Sequence, residues 1–272
     1  MRVYIDTLGC PKNVSDSEYA AGLLTEADHV IVEDPSEADV ILVNTCGFIN
    51  DAKEESIDRI LELSQEKSDD GILIVSGCLS QRYREDLGNA LPEVDILIGV
   101  NEYHKLPQIL SEHQKGKQKA FFSSYEKEYM EMRERASLGA SYSSYLKIAE
   151  GCDNVCAYCI IPSIRGSYRS RRKKSILAEA LQLAEKGCKE LILVAQDVTA
   201  YGIDLYGEFH LAQLLKELCK IDGIRWIRLM YCYEDRITAE LIQVMAENDK
   251  VCKYIDIPIQ HGSNKILKLM GR

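Results

Sequence analysis

Short, continuous apolar runs alternate with amphipathic segments along the first 100 residues of the chain. Runs such as V-I-L-V at residues 40–43 and I-L-I-V at residues 72–75 are typical of strands buried on both faces. The pattern predicts strands at residues 2–7, 39–44, 71–76 and 94–98. Between them it predicts helices, including residues 15–27 behind a capping box formed by Ser15 and Glu18, and residues 51–65. This alternation indicates right-handed crossovers and a parallel α/β sheet.

The second half of the chain shows the same alternation. The pattern predicts strands at residues 145–150, 190–195, 224–230 and 254–257, and helices at residues 177–186, 211–220 and 237–246. Such a repeat is typical of a parallel barrel, or part of one, whose active site lies at the carboxyl ends of the strands.

The two halves are separated by a polar, charged stretch at residues 107–140, interrupted only by the short run Ala120-Phe121-Phe122. We interpret it as a connection, with partial helix at residues 125–135 as an alternative. The prediction is an N-terminal parallel-sheet α/β domain at residues 1–110, a linker at residues 111–137 and a second domain at residues 138–272.

Composition narrows the class of protein. An apolar content of 46% and a charged content of 28% are typical of a soluble globular protein. The sequence contains no apolar run long enough to span a bilayer and does not begin like a signal peptide, so we expect a cytoplasmic protein without membrane contact. In that compartment ten cysteines stay reduced, and clustered ones are ligands rather than disulfides. The net charge of -10 argues against broad attraction to nucleic acid.

Three cysteines, Cys152, Cys156 and Cys159, fall in one short loop after a predicted strand. A closed zinc site uses four protein ligands, and no second C-x-x-C pair lies nearby. In a four-iron cluster, three thiolates would leave one iron open to a small molecule. The loop therefore predicts an iron-sulfur site at which chemistry occurs. A structural metal knuckle and simple burial of the thiols are the alternatives.

Three further cysteines, Cys10, Cys46 and Cys78, each follow the carboxyl end of a predicted strand. Ligands of parallel α/β sheets bind beyond these ends, so the three thiols are expected to converge at one edge. A glycine stands beside each one and would permit close approach of the backbone. We predict a second three-thiol cluster here, the alternative being three cysteines buried by chance.

The spacing C-x-x-x-C-x-x-C, with Tyr158 before the last cysteine, resembles the cluster loop of the radical S-adenosylmethionine (SAM) superfamily. The motifs L-G-C-P-K-N at residues 8–13, N-T-C-G-F-I at residues 44–49 and S-G-C at residues 76–78 resemble the N-terminal domain of methylthiotransferases. Within that family, they are similar to the branch that modifies an aspartate of a ribosomal protein. The branch that modifies tRNA adenosine typically has phenylalanine where Leu8 stands here.

The resemblance implies two [4Fe-4S] clusters and SAM as cofactors, an electron donor, and a small-subunit ribosomal protein as substrate. The implied reaction attaches a methylthio group to the aspartate β-carbon. The sulfur would be held at the first cluster, and a SAM-derived radical would be generated at the second. The alternatives are tRNA adenosine methylthiolation, a non-catalytic iron-sulfur electron carrier or scaffold, and a zinc-binding interaction module.

The resemblance also implies where the fold and the SAM contacts should lie. Radical SAM domains form six-stranded partial barrels, so the four predicted strands indicate an incomplete barrel, and we expect a shortened chain without the family's C-terminal TRAM domain, through which RNA contact would occur. Five side chains are expected to contact SAM: Tyr158 of the cluster loop, and Gln196, Asp197, Gln260 and His261 after the later strands. A histidine at a strand end is, however, as often only hydrogen-bonded structure. A basic run after the cluster loop is expected either to be a solvated face or to meet an acidic substrate surface or the SAM carboxylate; it contains Arg165, Arg169, Arg171 and Arg172.

Overall fold

A computed structural model describes residues 1–113, 119–124, 135–136, 138–139 and 142–272. The described residues form two compact units. One contains the residues up to 124 together with 135, 136 and 138, and the other contains 139 and 142–272.

The first unit is a parallel sheet with helices. Its strands are β1 (Arg2–Thr7), β2 (Val30–Val32), β3 (Val40–Thr45), β4 (Ile72–Ser76), β5 (Ile96–Ile98) and β6 (Lys119–Phe121). Its helices are α1 (Pro11–Glu26), α2 (Asn50–Glu66), α3 (Gly77–Arg82), α4 (Arg84–Ala90) and α5 (Leu106–Ser111), with 3₁₀ turns at Pro35–Glu37 and Tyr103–Lys105. The strand order is β2-β1-β3-β4-β5-β6, and all pairs are parallel. Every residue of β3 and β4 is buried, as the continuous apolar runs predict.

The order of these strands decides where a ligand can bind. The chain runs outward from β1 to β2, returns to β3 on the other side of β1, and continues outward to β6. The direction therefore reverses between β1 and β3. In doubly wound sheets of this kind, the crevice beyond the carboxyl ends of the strands at the reversal is the binding site.

Two predictions for the first unit are wrong in detail. Helix α1 begins at Pro11, not at a capping box, because the fixed φ of proline suits the first helical turn. Ser15 and Glu18 are buried inside that helix. Strand β6 pairs with β5, so part of the predicted linker belongs to the first sheet. The possible helix at residues 125–135 lies, except for Arg135, outside the described residues.

The second unit is built around four parallel strands, β7 (Ser143–Lys147), β10 (Glu190–Val194), β11 (Trp226–Leu229) and β12 (Val251–Ile255). They lie side by side in sequence order, as in the wall of a (β/α) barrel. A two-stranded antiparallel ribbon joins β8 (Ala149–Glu150) to β9 (Arg169–Ser170). The helices are α6 (Ile161–Arg165), α7 (Lys173–Glu185), α8 (Ile203–Tyr206), α9 (Leu211–Leu218), α10 (Ala239–Glu247) and α11 (Asn264–Leu269), with 3₁₀ turns at Val198–Ala200 and Glu234–Arg236.

One apolar core holds this unit together, formed by alternate strand residues and the inner faces of α7, α9 and α10. Leu191 and Leu193 of β10 are fully buried in it, as is Leu214 of α9. The predicted (β/α) architecture and its four strands are therefore confirmed. Among the described residues, no helix has both the length and the apolar character needed to cross a membrane.

Candidate functional site

Cys10, Cys46 and Cys78, the first thiol set, follow three strands that are neighbours in the first sheet. Cys10 is the residue before α1, Cys46 comes directly after β3, and Cys78 is the second residue of α3, which follows β4 without a loop. Because β1, β3 and β4 are adjacent and parallel, their carboxyl ends lie next to one another. The strand order thus places the three loops side by side, at the chain reversal between β1 and β3 and at the adjacent strand β4.

Glycines hold these loops in direct contact. A Cβ atom added to Gly9, whose φ is +89°, would lie 2.7 Å from Cβ of Cys46. A Cβ atom on Gly47 would lie 2.7 Å from Cα of Leu79 and 3.0 Å from the carbonyl carbon of Cys78. Only glycine permits both approaches, so the three loops that carry the cysteines pack directly against one another.

Buried polar side chains join the same loops by hydrogen bonds. The Asn13 amide donates to the carbonyl oxygens of Leu8 (2.8 Å) and Thr45 (3.1 Å), which links the turn after β1 to the end of β3. Asn44 donates in return to the carbonyl of Asn13 at 2.9 Å. The backbone N–H of Cys46 donates to Oγ of Ser56 at 3.2 Å. Asn13 and Asn44 lie inside the cysteine motifs, but the sequence alone assigned them no role.

Cys152, Cys156 and Cys159, the second thiol set, lie in a loop that leaves β8 and returns through α6 to β9. The β8–β9 ribbon closes the ends of this loop, and the backbone N–H of Cys152 donates to the carbonyl of Gly166 at 3.0 Å. Gly151 has a φ of +83°, and a Cβ atom there would lie 2.0 Å from the carbonyl oxygen of Ser167. The start of the loop is therefore closed in a shape that only glycine can adopt.

The thiols of this set are partly buried, and they lie close enough for the charge of one to affect the pKa of another. Burial raises the pKa of Cys152, and Asp197 and the other two cysteines raise it further. Burial also raises the pKa of Cys159, with a contribution from Cys156. Three thiolates here would repel one another unless a cation balanced them, and a metal cluster supplies that charge. The donor set therefore fits an iron-sulfur cluster, although no three Cys, His, Asp or Glu side chains among the described residues are grouped tightly enough for a single metal ion.

Two tyrosines lie beside Cys156. The hydroxyl of Tyr233, after β11, lies 3.8 Å from Sγ of Cys156. Burial and the neighbouring thiol raise the pKa of Tyr233 to about 12. Burial and Cys156 also raise the pKa of Tyr158, the aromatic residue of the motif, which is 45% exposed. No motif singles out Tyr233, and its position after the barrel strand β11 is the one signal that points to it.

A buried carboxylate stands at the entrance to the cluster loop. Glu150 accepts hydrogen bonds from Lys147 (2.9 Å), Arg165 (3.3 Å) and the amide of Gln196. Burial alone would raise the pKa of Glu150, but the two cations outweigh it and hold this pKa well below its usual range. The loop is therefore attached at its start and its end to one charged group.

The predicted basic surface patch is wrong for three of its four arginines. Arg165, Arg169 and Arg171 are each at most 5% exposed. Arg165 pairs with Glu150, Arg169 donates to backbone carbonyls of its own loop, and Arg171 pairs with Glu179. A buried cation needs such partners, and the unit supplies them. Of these four arginines, Arg172 alone is exposed.

A cavity of about 280 Å³ opens beside the loop, lined by Cys152, Asp153, Asn154, Tyr168, Asp197, Ala200, Ile203, Phe209 and Arg236. Asp197, predicted to contact SAM, is buried there and forms an ion pair with Arg236, which also donates to Asn154 at 2.7 Å. Gln196 faces Glu150 instead. Gln260 and His261 are exposed after β12, and His261 accepts a hydrogen bond from the backbone of Ser263.

The (β/α) unit and its three-cysteine loop define a radical SAM protein. Residues 146–272 match the model of the radical SAM superfamily, and residues 2–99 match that of uncharacterized protein family UPF0004. Membership of this superfamily implies a [4Fe-4S] cluster and SAM. Two solved structures share the fold. One is TsrM, a radical SAM methyltransferase from Kitasatospora setae, with a TM-score of 0.63 and 14% identity over 98% of this chain and 60% of that chain. The other is OxsB, a cobalamin-dependent SAM radical enzyme, with a TM-score of 0.62 and 15% identity over 99% of this chain and 45% of that chain.

Curated relatives narrow the family further. Proteins of Clostridium tetani and Acetivibrio thermocellus, both named ribosomal protein uS12 methylthiotransferase RimO, are each 51% identical over 267 and 280 residues, covering 98% and 100% of this chain. Over nearly its whole length the chain is therefore similar to this family of radical SAM methylthiotransferases. It spans 60% and 62% of the lengths of those two relatives.

Proposed function

We propose that this chain acts as a radical SAM methylthiotransferase that adds a methylthio group to the β-carbon of an aspartate in a small-subunit ribosomal protein. One observation carries the proposal: the first unit has three cysteines beyond the carboxyl ends of adjacent parallel strands, and the second unit has three in the single loop after β8. Relatives that are about half identical and are named for action on ribosomal protein uS12 support the choice of substrate. The reaction also requires an electron donor, and the proposed setting is the cytoplasm.

The second thiol set would hold a [4Fe-4S] cluster with one iron left for SAM. When bound, such a cluster supplies the electron that cleaves SAM, and the resulting radical takes hydrogen from an unactivated carbon. The residues of this chain position that chemistry. The β8–β9 ribbon and Glu150 would fix the loop. Asp197, which lines the cavity beside Cys152, is the predicted contact of the SAM amino group. Tyr158, Gln196, Gln260 and His261 stay predicted SAM contacts.

The first thiol set would hold a second [4Fe-4S] cluster, from which sulfur is delivered. Support comes from the contact between its loops, since Gly9 lies against Cys46 and Gly47 lies against the backbone of Cys78 and Leu79. Asn13 and Asn44 would keep these loops in register when the cluster is absent.

The proposal is tested by anaerobic reconstitution with iron and sulfide, followed by iron counting. Two triple variants change one thiol set each to alanine. A double variant of Cys219 and Cys252, which are partly buried and lie outside both sets, is the matched control. We expect each triple variant to lose about half of the bound iron and the control to keep it all.

Activity assays separate the alternatives. After reduction with SAM, 5'-deoxyadenosine should form in the wild type and in the variant of the first set, but not in the variant of the second set. Mass spectrometry should then find a methylthio group on an aspartate of uS12. Bound iron without 5'-deoxyadenosine indicates an electron carrier or scaffold, modified tRNA adenosine indicates the other branch, and zinc in place of iron indicates an interaction module.

A further inference from the structure

The contact between Tyr233 and Cys156 joins parts of the second unit that are far apart in sequence. Cys156 lies in the loop after β8, whereas Tyr233 follows β11, 77 residues later. The hydroxyl and Sγ are 3.8 Å apart, within range of a hydrogen bond to sulfur. A thiolate bound to iron carries no hydrogen, so in that state the phenol must be the donor.

The backbone around Tyr233 is held on both sides. The N–H of Tyr233 donates to Oγ1 of Thr199 at 3.0 Å, and Thr199 in turn donates to Asp197 at 2.5 Å. The preceding residue, Cys232, donates its N–H to the carbonyl of Asp256 at 2.8 Å. These bonds attach the residue to the segments after β10 and β12, so the direction of the phenol is set by the unit as a whole.

Two guanidinium groups lie beside the ring of Tyr233. The central carbon of Arg272 is 3.9 Å from the ring centroid, and that of Arg236 is 5.1 Å from it. Arg236 is fixed by its ion pair with Asp197 and its hydrogen bond to Asn154. Cations over an aromatic face draw electron density from the ring, which makes the hydroxyl a stronger donor.

We propose that Tyr233 donates a hydrogen bond to the Cys156 thiolate of the iron-sulfur cluster and raises the reduction potential of that cluster. Hydrogen bonds to the sulfurs and nearby net charge are among the factors that set such potentials. Reduction adds negative charge, part of which resides on the thiolates, so a donor at Sγ stabilises the reduced form more than the oxidised form. The inference rests on the proposed function, because it requires a cluster on the second thiol set.

The test is a redox titration of the reconstituted chain, monitored by electron paramagnetic resonance of the reduced cluster. The first thiol set is changed to alanine in every variant, so that only the cluster of the second set contributes to the signal. Tyr233→Phe removes only the hydroxyl. Tyr254→Phe is the matched control, because its ring also lies beside a guanidinium, that of Arg228 at 5.5 Å, on the edge strand β12 away from β7. We expect a lower midpoint potential for Tyr233→Phe and no change for Tyr254→Phe. A tenfold shift in the one-electron reduction equilibrium corresponds to about 59 mV.

The remaining outcomes are distinguishable. The unfolding temperature of the metal-free protein should be the same for Tyr233→Phe and wild type, since Tyr233 is only partly buried. A merely structural role would change this temperature and leave the potential unchanged. An unchanged potential at equal iron content overturns the proposal, as does loss of the cluster from Tyr233→Phe alone, which would assign the residue to cluster retention. If the parent protein itself binds no cluster, the proposed function fails first.

Discussion

The buried ion pairs of Glu150, at the start of the cluster loop, allow a quantitative prediction. The side chain of Glu150 is 9% exposed, and those of its partners Lys147 and Arg165 are 2% and 1% exposed. Replacing Glu150 with glutamine keeps the shape but removes the only negative charge that this trio contains. Removing one partner from a buried ion pair typically destabilises a protein by about 3–5 kcal/mol, because the other charge stays buried without it.

This free energy can be converted to a change in unfolding temperature. For domains of this general size, 1 kcal/mol corresponds to about 2–4 °C, so Glu150→Gln should lower the unfolding temperature of the second unit by roughly 6–20 °C. The assay is thermal unfolding of the metal-free protein at neutral pH, monitored by circular dichroism. Because Lys147→Met removes one of the two excess cations, adding it to Glu150→Gln should restore part of the loss.

The matched control is an exposed ion pair in the same unit. Glu240 pairs with Lys216 at 2.7 Å, with both side chains more than 40% exposed. Surface pairs of this kind contribute little, so Glu240→Gln should leave the unfolding temperature nearly unchanged. If Glu150→Gln and Glu240→Gln had the same small effect, the reasoning about the buried trio would be refuted.

Three further predictions concern glycine strain, loop attachment and pH. Gly151→Ala should destabilise the second unit more than Gly187→Ala. Both glycines have a positive φ, which costs a residue with a side chain about 1–2 kcal/mol, but only at Gly151 would the added Cβ also lie 2.0 Å from a backbone oxygen. Equal unfolding temperatures of the two variants would contradict this clash. Asn44→Ala should cost about 1–3 kcal/mol and reduce iron bound by the first thiol set alone, as iron counting will show. Burial alone would raise the pKa of Glu102, but hydrogen bonds from Lys105 and Ser123 outweigh it and lower this pKa. The stability that Glu102 contributes is therefore present above its unfolded pKa of about 4.3 and is lost as the pH falls through its folded pKa. The difference in unfolding temperature between wild type and Glu102→Gln should accordingly shrink below about pH 4.

The predicted elements match the structure where the apolar pattern is strong. Strands β3, β4 and β10 lie within one residue of their predicted bounds, because buried parallel strands are marked by continuous apolar runs. The pattern did not reveal the three-residue strand β2 and assigned β6 to the linker, since strands this short carry little periodicity. The start of α1 was misplaced because Ser15 and Glu18 look like a cap in sequence but are buried in the helix interior.

The candidate site divides in the same way. The sequence by itself determined the second thiol set, because Cys152, Cys156 and Cys159 are close along the chain and their spacing alone keeps them together. It also indicated that Cys10, Cys46 and Cys78 lie at one edge, since parallel strands present their carboxyl ends on the same side.

Only the tertiary structure decided which strands are neighbours and which charges are buried. The order β1-β3-β4 places the first thiol set side by side, and a strand's own sequence does not encode its partner. Arg165 and Arg171 look like surface cations in sequence, yet Glu150 and Glu179 neutralise them inside the unit. Tyr233 meets Cys156 across 77 residues of chain. Such contacts follow from the packing of distant segments, for which no local periodicity or spacing carries a signal.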